Sequence, residues 1–140
     1  MKYFVQQLTV FLENKPGELA SFTKILSDKN VNIKSVILVE STDFGLVRAI
    51  VDNPQKAKAV LESAGLSVRL ANVIAVKIKD EVGSFNRIVS ALSQNNINIL
   101  YAYSFYESDS GIFIFSVDEL QKGVDVLLKA GENILEAEYF

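Results

Sequence analysis

Asn30-Val31-Asn32-Ile33 returns 66 residues later as Asn96-Ile97-Asn98-Ile99. The same offset holds outward in both directions. Gly17 falls on Gly83, Leu26-Ser27 on Leu92-Ser93, Asp43 on Asp109 and Gly45 on Gly111. Further on, Val51-Asp52 meets Val117-Asp118, Gln55-Lys56 meets Gln121-Lys122, and Ala64-Gly65 meets Ala130-Gly131. About 18 of about 74 aligned pairs are identical without a gap, and they cluster at turns and at apolar positions. The period is longer than that of common solenoids, so each copy reads as a small domain with its own core. The boundary falls at 1–71 and 72–140.

Each copy has the same order of elements. Residues 4–12 alternate as a strand, with Leu8, Val10 and Leu12 on one side. Asn14-Lys15-Pro16-Gly17 is turn chemistry. Leu19, Phe22, Ile25 and Leu26 then form one apolar helix face, which stops at Asn30. Residues 33–40 and 44–51 are strands around a turn at Ser41-Thr42-Asp43, with Gly45 and Gly111 read as hairpin residues. Asp52 or Asn53 caps a second helix that opens with Pro54 and closes at Gly65. Residues 66–70 close the copy. The second copy repeats this with strands at 73–79, 98–106, 111–117 and 133–138 and helices at 84–95 and 119–130. Two βαβ crossovers per copy predict an α+β fold: two ferredoxin-like βαββαβ units, each an antiparallel four-stranded sheet with both helices on one face. Only Ala71-Asn72 separates the copies, so rigid coupling is expected. The apolar strand 33–40, and the aromatic run from Tyr101 to Tyr106 in its counterpart, predict edges that pair into a wider sheet. That run reads as core and interface.

Composition narrows the function. The 140 residues are 49% hydrophobic and 22% charged, with net charge −3, as in an ordinary globular protein. No basic cluster offers a phosphate-neutralising surface, so no nucleic-acid partner is expected. With no Cys and no His, disulfides, thiolate nucleophiles, iron–sulfur clusters, the usual zinc sites and His-based catalysis are excluded. No metal, cofactor or catalytic residue is expected. Apolar runs are strand-length and Gln6-Gln7 interrupts the first, which predicts no membrane association and a cytoplasmic protein. An acylphosphatase-like site would need Arg in the first loop, and neither loop has one. An RNA-recognition surface would need a basic sheet face.

Glu13-Asn14-Lys15-Pro16-Gly17-Glu18-Leu19, followed by Asn30-Val31-Asn32-Ile33, resembles the ACT domain family. Its members are ligand-binding regulatory domains of amino-acid metabolism with this element order. The first copy is similar to the regulatory domains of phosphoglycerate dehydrogenase and of the acetolactate synthase regulatory subunit. The second departs, with Asp80 for Asn14 and Val82 for Pro16. The resemblance implies two ACT units with a free amino acid held where a strand-to-helix turn of one unit faces the second strand of another. It places Asn14, Lys15, Pro16, Gly17, Glu18 and Leu19 on the turn side, and Asn32 or Asn98 on the facing side. Asp80 and Gly83 are the equivalents in the second copy. The chemistry suits a zwitterion. A helix N-terminus favours the carboxylate, Asn serves either end, and Asp80 pairs with an ammonium.

The function expected is non-catalytic sensing of an amino acid by a homodimer. The alternative is a regulatory or interaction subunit of an amino-acid biosynthetic enzyme, such as an acetolactate-synthase-type complex.

Overall fold

The computed structural model describes residues 1–40 and 44–140; the expected turn at Ser41-Thr42-Asp43 lies outside the described residues. The elements follow the order β1 (Val5–Glu13), α1 (Glu18–Asp28), β2 (Ile33–Glu40), β3 (Phe44–Val51), α2 (Pro54–Ser63) and β4 (Ser67–Lys79). The chain continues with α3 (Ser84–Gln94), β5 (Ile99–Glu107), β6 (Ser110–Val117), α4 (Leu120–Lys129) and the short β7 (Asn133–Ile134). A 3-10 turn, Ala137–Tyr139, follows. Two compact units result. One is Gln6–Ala71 with Phe140; the other is Asn72–Tyr139 with Met1–Val5.

Both units are ferredoxin-like antiparallel sheets. The first has strand order β2-β3-β1-β4 and the second β7-β4-β6-β5. Strand β4 is unbroken from Ser67 to Lys79, so the two strands expected around Ala71-Asn72 are one element. In the first unit Leu8, Val10, Leu12, Val47 and Ala49 meet Phe22 and Leu26 of α1 and Ala57 and Leu61 of α2. Both helices therefore lie on one face. The second core repeats the plan with Ile74, Val76, Ile78, Phe115, Ile88, Leu92, Val124 and Leu127.

The punctuation is local chemistry. Asn30 and Asn96 end their helices in the left-handed region, at φ +57° and +60°, a conformation Asn tolerates better than most side chains. Asn53 caps α2 by accepting from the Lys56 amide at 3.2 Å. Asp52 is then free for another task. Its carboxylate accepts from the Asn32 amide at 3.0 Å, and Asp118 does the same for Asn98 at 3.0 Å.

Gly45 and Gly111 lie in hairpin strands as expected, Gly45 opposite Glu40 and Leu12 and Gly111 opposite Tyr106 and Ile78. The second hairpin turns at Ser108-Asp109, with Ser108 at φ +53°. A Cβ on either glycine would crowd neighbouring side chains. The last strand, expected over 133–138, stops at Ile134. The Ala137 amide donates to the Lys2 carbonyl at 2.8 Å rather than to β4. A Lys2–Glu136 ion pair at 3.4 Å accompanies it, and Tyr3 and Phe4 pack against the second core.

Candidate functional site

The first turn is shaped by backbone constraints. Pro16 fixes its own φ, and Gly17, the residue that opens α1, lies at φ +91° and ψ −15°. A Cβ on Gly17 would meet nothing within 4 Å, so glycine is required there by the dihedral and not by crowding. The Glu18 amide turns back to the Lys15 carbonyl at 3.4 Å, and the Ser21 amide reaches the Gly17 carbonyl at 2.9 Å. No side chain caps α1, which leaves its first-turn amides without a side-chain acceptor.

A cavity of about 300 Å³ opens beside this turn. Its polar side is Glu13, Asn14, Lys15 and Glu18; its apolar side is Leu12, Leu19, Leu38 and Val39, with Gly45 between. The Lys15 ammonium lies 3.0 Å from Glu13 and 3.6 Å from Glu18. The hydrogen bond and charge of Glu13, then the charge of Glu18, hold Lys15 protonated to a higher pH than a free lysine. The mouth thus carries one cation clamped between two anions, beside an aliphatic wall.

The second turn copies the backbone and changes the filling. Gly83 opens α3 at φ +88° and ψ −9°, again with no side-chain cap. The Ser84 amide reaches the Glu81 carbonyl at 3.2 Å and the Arg87 amide the Gly83 carbonyl at 3.0 Å. Val82 in place of Pro16 therefore leaves the hydrogen bonding unchanged, because Gly83 supplies the required dihedral. The cavity beside it is about 140 Å³, lined by Ile78, Lys79, Asp80, Glu81, Ser84, Phe85, Tyr106, Gly111 and Phe113. Phe85 lies against Phe113 with ring centroids 5.0 Å apart and against Phe115 at 5.9 Å. Ser84 is buried and its hydroxyl has no hydrogen-bond partner. Arg87 meets Glu132 at 2.7 Å and 3.2 Å, and that carboxylate raises the pKa of the guanidinium.

Of the residues expected on the turn side, Asn14, Lys15, Glu18 and Leu19 line the first cavity, while Pro16 and Gly17 shape the bend. Asp80 lines the second cavity and Gly83 opens its helix. Asn32 is not brought to the turn of its own unit. It lines a separate hollow with Thr23, Ser27 and Asn30, past the far end of α1. Asn98 holds the corresponding place after α3. Leu38, Val39 and Gly45 were missed from sequence, as were Phe85, Tyr106 and Phe113. The usable signal was Gly45 and Gly111 falling in step in the repeat.

A twofold βαββαβ chain with a glycine-opened helix in each copy now has its match. The family model described as an ACT domain pair covers residues 3–139. The chain belongs to the ACT domain pair family. ACT domains are regulatory and non-catalytic. Among solved structures, protein BT0572 from Bacteroides thetaiotaomicron is similar at 28% identity and a TM-score of 0.94, covering 98% of this chain and 95% of its own. The ligand-free regulatory subunit of aspartate kinase from Thermus thermophilus shares the fold at 15% identity and a TM-score of 0.69, covering 91% and 93%. The corresponding subunit from Thermus flavus does so at 16% identity and a TM-score of 0.66, covering 93% and 91%. No curated protein matches the chain.

Proposed function

We propose that this ACT pair is a non-catalytic sensor of a free amino acid, bound at the Asn14–Leu19 turn of the first unit. The carrying observation is the cavity of about 300 Å³, where uncapped helix amides and a Glu13–Lys15–Glu18 charge cluster lie beside Leu12, Leu19 and Leu38. Such a site offers donors to a carboxylate, carboxylates to an ammonium, and an aliphatic wall to a side chain. Asp80 and Gly83 form the related turn of the second unit.

The site is completed by a facing ACT unit in a homodimer, which contributes Asn32 or Asn98. Strand β2 edges its sheet, with Val36 45% and Leu38 52% exposed, and an apolar edge of this kind supports pairing with a second copy. Because Leu38 also lines the cavity, ligand and interface share a wall. A ligand that bridges the two units shifts the population toward the closed arrangement by its differential affinity. An enzyme of amino-acid metabolism would receive that signal. No helix is long and apolar enough to cross a membrane among the described residues, and a cytoplasmic location belongs to this same reading.

A thermal-shift screen of the twenty proteinogenic amino acids tests the proposal. Binding at a hundred times Kd stabilises by about 2.7 kcal/mol. One amino acid, or one narrow class, is expected to raise Tm, and Gly17→Asp to abolish the shift. A screen in which none raises Tm refutes it.

A further inference from the structure

We infer that the two turns are unequal in function: aromatic rings of the second unit fill its own cavity, so that of the two turns the first is the one that takes an amino acid. This rests on the reading proposed above and adds to it which turn is occupied.

The backbone gives no reason for inequality. Both helices open at a left-handed glycine, at φ +91° and +88°, and neither has a side-chain cap. The inequality lies in the side chains at matched positions of the repeat. Leu19 becomes Phe85, Val47 becomes Phe113, and Ala49 becomes Phe115. Phe85 and Phe115 are stacked, with rings inclined by 17°.

The floor glycine reports the consequence. An ideal Cβ on Gly111 would stand 2.9 Å from Phe113 Cε2 and 3.4 Å from Tyr106 Cε1, so two rings occupy the space above it. Among the described residues, the ideal Cβ of Gly45 would meet the flexible methyl Leu38 Cδ1 at 3.2 Å and the Leu12 carbonyl oxygen at 3.9 Å, and no ring. The remaining volumes are about 140 Å³ and about 300 Å³. The second cavity has less than half the volume of the first. Opening the second would break the contacts Phe85 makes with Phe113 and Phe115, which a ligand would have to replace.

The test follows the Gly17 and Gly83 amide signals of the ¹⁵N-labelled full chain while an equimolar mixture of the twenty amino acids is added. Gly17 and its neighbours are expected to shift saturably and Gly83 to stay in place. Phe85→Leu with Phe113→Val, which installs the first unit's residues, is expected to make Gly83 respond and to raise stoichiometry by one per chain. Leu19→Phe is expected to weaken the Gly17 response at least tenfold. A saturable shift at Gly83 in the wild-type chain overturns this inference and leaves the proposed function standing. No shift at either glycine overturns both. Should the double variant not fold, the wild-type titration and Leu19→Phe decide the matter.

Discussion

The turn at Asn14–Leu19 and the turn at Asp80–Phe85 have nearly the same backbone and different surroundings. Gly17 and Gly83 differ by a few degrees in φ, and the amides that follow them bend back to equivalent carbonyls. Yet one turn borders a cavity of about 300 Å³ with aliphatic walls and the other a residue of space among aromatic rings. The backbone of such a site is set within the turn by one glycine dihedral. Its capacity is set by strand residues far away in sequence, at 38, 39 and 45 in one unit and 106, 111 and 113 in the other.

The largest expected effects test whether the two cores are as alike as the two backbones. Phe22 and Ile88 occupy matched positions and both are fully buried. Phe22→Ala should cost about 3–5 kcal/mol and Ile88→Ala about 2–5 kcal/mol in urea unfolding. A loss under about 1 kcal/mol for either would contradict the packing described. Next come Gly17→Ala and Gly83→Ala. No atom lies within 4 Å of either ideal Cβ, so the cost is that of a left-handed dihedral alone, about 1–2 kcal/mol and equal in the two units. Unequal costs would mean that the bends differ more than their geometry indicates.

Asp52→Ala and Asp118→Ala should each remove about 1 kcal/mol, since each deletes one exposed hydrogen bond to the start of a strand. Val82→Pro should stabilise by about 0.4–1 kcal/mol by restricting the unfolded chain, which would bring the second turn to the first turn's composition. The smallest effect is that of Lys15→Gln. The pKa of Lys15 is raised above 10.5 by Glu13 and then Glu18. Its contribution is therefore fully present below 10.5 and is lost as pH rises through the raised value. Stability of wild type and variant should differ by a constant small amount near neutral pH and converge in strong alkali.

Local chemistry was readable from sequence, and long-range register was not. The bounds of β2 and β3, an α2 cap at Asp52 or Asn53, and the helix ends at Asn30 and Asn96 each depend on a few adjacent residues, and all were legible. The turn beside the first cavity was legible for the same reason. Its other wall depends on pairing: Leu38 stands opposite Val47, Val47 opposite Val10, and Gly45 opposite Leu12. Nothing in the order of residues states those partners. The end of β7 was misread because Leu135-Glu136-Ala137-Glu138 alternates apolar and charged residues as a strand does, while the acceptor for the Ala137 amide lies at Lys2.

A crystal structure of the chain grown with the amino acid that most raises Tm tests the central claim most directly. The account predicts density for that molecule between the Glu18–Leu19 backbone and Leu38, with its carboxylate on the first amides of α1, and none beside Phe85. Density elsewhere, with the first cavity holding only solvent, would contradict it.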